Sequence, residues 1–149
     1  MTTARWNTYF FKLCDAAASM SKDPSTKVGA VIVRPDKTTL GPAWNGFPRG
    51  CDDGPKLYAD RATKLRRIVH AEMNAVVSAG ENLKGCTIYV SPLHPCSTCA
   101  GAIIQAGIKR VVAKVPQDPP ERWRDDFAEA RQMLCEAGVE VEIVGSEVM

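Results

Sequence analysis

The chain has 149 residues, of which 45% are hydrophobic and 24% charged, and this length and composition predict one globular domain over residues 1–149. A coiled coil, a collagen-like rod and a disordered tail are excluded by the mix of residue types. The formal net charge of +2 is too small to predict a long nucleic acid as partner. No apolar run reaches the length of a membrane span, so no membrane association is predicted.

The first half of the chain predicts one helix, a hairpin and a long loop. Apolar residues recur at helical spacing between residues 4 and 21. A nearly unbroken apolar run at 28–33 predicts a buried strand, and residues 38–44 are expected to return beside it as the second strand of a hairpin. Residues 45–64 are interpreted as a long structured loop, and loops of that length inside a compact domain are usually functional or disordered.

The second half predicts helices alternating with strands. The predicted helices cover 70–80, 97–106 and 122–137, and the predicted strands cover 86–91, 109–115 and 139–144. A Pro-rich loop at 116–120 precedes the last helix. This alternation predicts an α/β fold, a three-layer α-β-α sandwich around one sheet of about five strands. The hairpin in the first half makes that sheet mixed rather than wholly parallel.

The chain contains six cysteines and two histidines. Residues 1–7 turn polar within a few positions, so no signal peptide is predicted, and a cytoplasmic protein with reduced thiols is expected. Three cysteines lie in apolar patterns and are predicted to be small buried residues: Cys14, Cys86 and Cys135. Cys51 stands in a Gly-rich polar loop, and its role is left open.

The remaining two cysteines form a Cys-x-x-Cys pair, Cys96 and Cys99, directly after Pro95. Three residues apart at the start of a helix, both sulfurs can reach one point, and a helix N-terminus favours the thiolates that bind metal. His70, at the start of the preceding helix, supplies a third ligand. Three protein ligands leave one tetrahedral position open, which is the arrangement of a catalytic Zn²⁺ site.

Glu72 follows His70 by two residues and is predicted to move protons between a water and the substrate rather than to bind metal. A Cys-x-x-Cys alone is also typical of a structural zinc site or a redox pair, and a closed site would require Cys51 or His94. His94 is interpreted instead as a lining or packing residue. The combination of H-x-E with P-C-x-x-C is a known signature of zinc deaminases.

These motifs resemble those of the cytidine and deoxycytidylate deaminase superfamily, and the chain is most similar to its dCMP deaminases. The resemblance rests on residues 23–33, 44–50, 70–75 and 102–110, together with the cysteine motif. It implies zinc-dependent hydrolytic deamination of dCMP to dUMP and ammonia, feeding thymidylate synthesis. It also implies a homo-hexamer that dCTP activates and dTTP inhibits, with Mg²⁺ accompanying the triphosphate.

The resemblance further implies that Asn45 contacts the substrate sugar. The following block, Gly46, Phe47, Pro48, Arg49 and Gly50, is implied to bind the allosteric nucleotide, although it is equally typical of a plain turn. Main-chain groups near Ala71, Ser97 and Thr98 are expected to anchor the edge of the base.

The segment 115–124 departs from the family pattern, which usually has a shorter, aromatic and acidic connection there. Arg122, Trp123 and Arg124 could stack on or pair with a nucleotide, but a solvated helix start is the favoured interpretation. Three alternatives stay open: a tRNA adenosine deaminase, which should be more basic, a free-cytidine deaminase, which usually has cysteine in place of His70, and a non-catalytic zinc-binding module.

Overall fold

A computed structural model of the chain describes residues 3–145. Its helices are α1 (Thr3–Ala18), α2 (Pro55–Ala59), α3 (Arg61–Arg67), α4 (Ala71–Ser78), α5 (Ser97–Gln105) and α6 (Glu121–Glu136). Its strands are β1 (Gly29–Val33), β2 (Ala43–Trp44), β3 (Thr87–Ser91), β4 (Arg110–Val115) and β5 (Glu140–Gly145).

The five strands form one mixed sheet in the order β2-β1-β3-β4-β5. The pairs β1–β2 and β1–β3 are antiparallel, whereas β3–β4 and β4–β5 are parallel. The predicted fold class, an α/β sandwich with a mixed sheet of about five strands, is confirmed.

The two faces of the sheet carry separate cores. On one face, Phe10, Phe11 and Cys14 of α1 pack against Val31 and Tyr89. On the other face, side chains of α4, α5 and α6 pack against alternate residues of the same strands, among them Ala30, Ile32, Ile88 and Val90. This alternation follows from the two-residue period of a strand, and it places helices in both outer layers.

The strand directions bring three chain segments to one edge of the sheet. The parallel strands β3 and β4 both end at this edge, and β1 begins there because Gly29 is paired with Ser91 in the antiparallel register. The segment before β1, the turn between β3 and α5, and the connection from β4 to α6 therefore lie close together. Crevices of this kind beyond the carboxyl ends of strands are where α/β folds place their ligands.

The prediction of a loop throughout 45–64 is wrong, because α2 and most of α3 lie within it. Pro55 begins α2, a position that suits its fixed φ and missing N–H, and the buried Tyr58 anchors this helix to the domain. The second hairpin strand is shorter than predicted: Thr39 makes only an isolated bridge with Val33 before β2.

Two of the three predicted core cysteines, Cys14 and Cys86, are buried, but Cys135 is exposed. Cys135 lies on the solvent side of α6, whereas its neighbour Leu134 is fully buried. The prediction for Cys135 is wrong because the buried face of this helix includes Leu134 but not the next residue. All six cysteines are free thiols. Within residues 3–145, no helix combines the length and the hydropathy needed to cross a membrane.

Candidate active site

The three predicted metal ligands converge at the sheet edge. His70 is the N-cap residue of α4 and Cys96 the N-cap residue of α5, and Cys99 follows in the first turn of α5. The Sγ atoms of both cysteines lie 3.4 Å from Nδ1 of His70. Bond lengths of zinc to sulfur and nitrogen in a tetrahedral site imply a separation of about 3.6 Å between such donors. The residues therefore fit a Zn²⁺ ion.

Hydrogen bonding sets different proton affinities for the two sulfurs. A hydrogen bond from the Cys99 thiol, strengthened by another from the His70 ring, lowers the pKa of Cys96 to about 4. The bond to Cys96 and burial both raise the pKa of Cys99. The thiolate form is therefore favoured at Cys96 and the thiol form at Cys99, and Cys99 would become a thiolate when a metal ion displaces its proton.

Glu72 stands in the first turn of α4, two residues from the ligand His70. Its side chain is buried, and this burial raises its pKa to about 7 because a carboxylate loses its hydration there. It is not a member of the cluster of potential metal ligands, which consists of His70, Cys96 and Cys99. A carboxyl group with such a pKa can both accept and donate a proton near neutral pH.

A cavity of about 100 Å³ opens beside this cluster. The wall next to the cluster includes His70, Ala71, Glu72 and Cys96. The other walls are formed by the segment before β1, by α3, by the turn after β3 and by the start of α6. The residues of those walls include Asp23, Arg61, Lys64, His94, Arg122, Trp123 and Phe127, and Asn45, which follows β2, also lines the cavity. Ala71 and Asn45, for which substrate contact is predicted, are thus both lining residues.

Asn45 is buried in the cavity wall, where its amide group fastens two segments together. Its Nδ2 donates to the carbonyl oxygen of Thr26 at 3.0 Å and to Oδ2 of Asp23 at 3.4 Å. Its Oδ1 accepts from the Val28 N–H at 2.9 Å. Both amide hydrogens are therefore engaged within the protein, and one lone pair of Oδ1 remains for a donor group in the cavity.

A buried ion pair supports the same wall. Nζ of Lys64 lies 2.9 Å from Oδ1 of Asp23, and both side chains are largely buried. The same oxygen of Asp23 accepts the Ser25 N–H, so this pair ties α3 to the segment before β1. Neither residue was predicted as a site residue, because the two stand 41 positions apart and only the fold brings them together.

Ser97 has its polar groups occupied by a neighbour from α6. Its N–H donates to Oδ2 of Asp126 at 2.9 Å and its hydroxyl to Oδ1 at 2.6 Å. Among the described residues, neither Ser97 nor Thr98 lines the cavity. Asp126 therefore holds the start of α5, where Cys96 and Cys99 lie, and no sequence motif points to this acidic residue.

The block Gly46–Gly50 is a packed turn outside the cavity lining. Gly46 pairs with Val69, the residue before His70, through two main-chain hydrogen bonds of 3.0 and 2.8 Å. The Phe47 ring stacks on Tyr58 with 4.0 Å between centroids, and its N–H donates to the Tyr58 hydroxyl. Pro48 and Arg49 follow on the surface, and Gly50 has a φ of 84° that favours glycine.

His94 lines the cavity, in agreement with its interpretation as a lining residue. Its Nδ1 lies 2.7 Å from the carbonyl oxygen of Pro95. A carbonyl can only accept, so Nδ1 carries the hydrogen and Nε2 is an acceptor. Nε2 is buried and has no hydrogen-bond partner within the part of the chain that the structure describes.

The start of α6 contributes an aromatic wall. The Trp123 ring stacks on Phe127 with 5.7 Å between centroids, and Phe127 contacts His94 at 5.7 Å. The guanidinium of Arg122 lies 5.7 Å from the centre of the Trp123 ring. The interpretation of 122–124 as a solvated helix start holds for Arg122, which is exposed although it also borders the cavity, but not for Trp123, which is half-buried in the cavity lining. It also holds for Arg124, which pairs with Asp118 on the surface.

Comparison with known proteins agrees with this geometry. Residues 4–115 match the model of the cytidine and deoxycytidylate deaminase zinc-binding region. An uncharacterized deaminase of Aliivibrio fischeri is 37% identical over 139 residues, which are 93% of this chain and 92% of that protein. Human deoxycytidylate deaminase is 41% identical over 113 residues, which are 72% of this chain but only 63% of the human protein.

A solved structure supports the same relationship. The dCMP deaminase of cyanophage S-TIM5, determined in complex with dCMP and dUMP, superposes with a TM-score of 0.70 at 26% identity, covering 97% of this chain and 99% of that one.

The fold and a buried glutamate beside a His/Cys/Cys cluster define a zinc-dependent hydrolytic deaminase. Given the match of residues 4–115, the chain belongs to the cytidine and deoxycytidylate deaminase family.

Proposed function

We propose that this protein deaminates dCMP to dUMP and ammonia. The observation that carries the proposal is the buried Glu72 beside three converging metal ligands, at a cavity open to a small substrate. Two relatives support dCMP as the substrate, because the human protein and the cyanophage protein are both deoxycytidylate deaminases.

In this mechanism Nδ1 of His70 and the sulfurs of Cys96 and Cys99 hold the metal ion. Zn²⁺ bound there would supply a Lewis acid and lower the pKa of a bound water. Glu72 accepts one proton of the water, whose oxygen adds to C4 of the cytosine ring, and donates that proton to N3. Glu72 then takes the remaining proton from the oxygen on C4 and donates it to the 4-amino nitrogen. The bond between C4 and the amino nitrogen breaks, ammonia leaves, and the C4 carbonyl of dUMP forms.

The other cavity residues hold the substrate in place. The free lone pair on Oδ1 of Asn45 is suited to accept a hydroxyl hydrogen of the deoxyribose, because both amide hydrogens are already engaged. Ala71, in the first turn of α4, offers main-chain groups to the edge of the base. Ser97 and Thr98 do not line the cavity; the hydrogen bonds of Ser97 to Asp126 instead hold the start of α5, where the cysteines lie.

The family resemblance also supports a regulated homo-hexamer that supplies dUMP for thymidylate synthesis in the cytoplasm. In that scheme dCTP activates and dTTP inhibits, with Mg²⁺ on the triphosphate, and the turn Gly46–Gly50 receives the effector. Two hydrogen bonds join Gly46 of this turn to Val69, the residue before His70. An effector bound at the turn could therefore change the position of this metal ligand. Titration of dCMP turnover with dCTP and then dTTP, at fixed Mg²⁺, tests this part separately.

A substrate panel tests the activity itself. Zinc-loaded protein is incubated separately with dCMP, dCTP, cytidine and an RNA hairpin containing adenosine, and ammonia release is followed with and without dCTP and Mg²⁺ as effectors. We expect dCMP to be the best substrate. Ammonia from the RNA or from cytidine, with dCMP unreacted under every condition, would overturn the proposal.

A further inference from the structure

The side-chain amide of Asn45 could lie in two orientations, and its neighbours favour one of them. In the observed orientation Nδ2 donates to the Thr26 carbonyl oxygen and to Oδ2 of Asp23, and Oδ1 accepts the Val28 N–H. The reversed amide would set Oδ1 against those two oxygens and Nδ2 against the Val28 N–H. Asn45 therefore presents an acceptor, not a donor, at the position that remains free in the cavity wall.

Asp23, the charged partner of this amide, is itself held by several donors. Its Oδ1 accepts the N–H of Ser25 at 2.8 Å and the N–H of Thr26 at 3.4 Å, and Nζ of Lys64 lies 2.9 Å from the same oxygen. Because these donors all engage Oδ1, the other oxygen, Oδ2, is directed toward Asn45. The carboxylate cannot rotate away from Asn45 without losing these bonds.

Lys64 compensates the buried charge on which this arrangement depends. Its side chain is only 11% exposed and that of Asp23 only 5%, and a carboxylate at that depth is costly unless an opposite charge lies beside it. Lys64 stands on α3, so this helix acts on Asn45 through Asp23. The ion pair therefore does more than join two segments, because it determines which hydrogen-bonding group Asn45 offers to the cavity.

We propose that Asp23 and Lys64 are positioning residues that hold the Asn45 amide with its oxygen toward the substrate, and so select nucleotides whose sugar donates a hydrogen bond there. The inference rests on the proposed function, because it concerns the sugar of the same substrate. In dCMP the 5′-oxygen carries the phosphate and C2′ carries no hydroxyl, so the 3′-hydroxyl is the sugar group that donates. Selection of this hydroxyl therefore depends on two residues that act through Asn45.

Steady-state kinetics with a matched pair of substrates tests this assignment. The 3′-fluoro analogue of dCMP, 3′-fluoro-2′,3′-dideoxycytidine 5′-monophosphate, is similar in size at C3′ but has no hydrogen to donate. We expect the zinc-loaded wild type to prefer dCMP roughly tenfold in kcat/KM, because the analogue cannot donate a hydrogen bond to Oδ1 of Asn45. A merely structural role of the ion pair would affect both substrates equally, so the ratio of the two kcat/KM values is the readout.

Two variants remove the ion pair in different ways. The double variant Asp23→Asn with Lys64→Met leaves no buried charge, and Oδ1 of the introduced amide stays with the N–H groups of Ser25 and Thr26. Its Nδ2 then faces Nδ2 of Asn45, so that two donors oppose each other. We expect the preference for dCMP to fall to about twofold or less. Lys64→Met alone should lower the same ratio, and the double variant decides if the uncompensated Asp23 prevents that single variant from folding.

Lys22→Met is the matched control, because Lys22 lies in the same segment before β1 and forms an exposed ion pair with Asp53. This control should keep the wild-type ratio. A wild type that converts dCMP and its 3′-fluoro analogue equally well would overturn the inference. A double variant with the same ratio as Lys22→Met would also overturn it, whatever its absolute activity.

Calorimetric binding of dUMP and of its 3′-fluoro analogue separates this inference from the proposed function, because it does not depend on turnover. A wild type that releases no ammonia from dCMP overturns the proposed function, and the calorimetry then decides the role of the ion pair. Tighter binding of dUMP that the double variant loses supports the inference, whereas equal binding of the two ligands by the wild type overturns it. A wild type that deaminates dCMP, with a ratio that the double variant leaves unchanged, overturns only the positioning role.

Discussion

The four residues at the centre of the site differ in how closely they are tied to one another along the chain. His70 and Glu72 share one helix start, and Cys96 and Cys99 share another. Within each pair, the spacing along the helix start fixes the relative directions of the two side chains. The geometry within each pair is local, and the combination of H-x-E with P-C-x-x-C is a known signature, so the motifs were enough to predict that the two pairs converge.

The residues that support this centre could not be predicted in the same way. Asp126 reaches Ser97 across 29 positions, and Lys64 reaches Asp23 across 41. Isolated acidic and basic residues are common on any surface, so nothing in the sequence separates these from solvated charges. The position of Trp123 in the cavity lining was missed for the same reason, because only the packing of α6 against the turn after β3 brings its ring there.

Replacing one metal ligand should remove the metal without unfolding the protein. Cys99→Ser is expected to weaken zinc binding at least about 100-fold, because a serine hydroxyl is not ionised and is a poor zinc ligand. Zinc content after dialysis, measured by atomic absorption, checks this. Cys135→Ser is the control, since Cys135 is exposed and remote from the cluster; equal zinc retention in the two variants would contradict the ligand assignment.

Asp126 should stabilise the fold as a cap on α5. Asp126→Ala leaves the Ser97 N–H and hydroxyl without their acceptors and is expected to lower the free energy of unfolding by about 1–2 kcal/mol. Urea unfolding of the zinc-loaded protein measures the change, with Asp125→Ala as a control because Asp125 is exposed on the same helix. Identical midpoints for the two variants would show that the cap contributes nothing.

At the level of elements, the longer helices and every strand except the shortened β2 agree with their sequence patterns to within a few residues, whereas α2 and α3 were missed. These helices have five and seven residues, fewer than the window in which helical periodicity can be recognised. Contacts distant in sequence stabilise them instead, namely the stacking of Tyr58 on Phe47 and the ion pair of Lys64. Such contacts become visible only once the fold is known.

The packing of α1 on the sheet depends on one glycine. A Cβ atom at Gly29 would lie 1.8 Å from the carbonyl oxygen of Cys14 and 3.0 Å from the Ala18 nitrogen, so both contacts involve main chain that cannot move aside cheaply. Gly29→Ala is expected to destabilise the protein by about 3 kcal/mol or more.

Thermal and urea unfolding followed by circular dichroism check this expectation. Gly41→Ala is the matched control, because no atom lies within 4 Å of the position its Cβ would take. If Gly29→Ala unfolds at the same midpoint as Gly41→Ala, the close approach of α1 to β1 is not as described.

For the whole molecule, the topology explains why residues that are distant in sequence, between Asp23 and Phe127, reach one cavity. The sheet edge where β3 and β4 end and β1 begins gathers the segment before β1, the turn carrying the cysteines and the connection to α6. The alternation of strands and helices was enough to predict a mixed sheet. It did not predict which segments line the cavity, because that depends on strand order and register.

The central claim is that Glu72 performs proton transfer in dCMP deamination at a zinc site held by His70, Cys96 and Cys99. The most direct test compares the absorbance change of dCMP with zinc-loaded wild type, Glu72→Gln and the exposed control Glu129→Gln. We expect zinc content to be equal in all three and turnover by Glu72→Gln to fall by about 10²- to 10⁴-fold, with the control unchanged. Full activity in Glu72→Gln, or no conversion of dCMP by the wild type, would contradict the account.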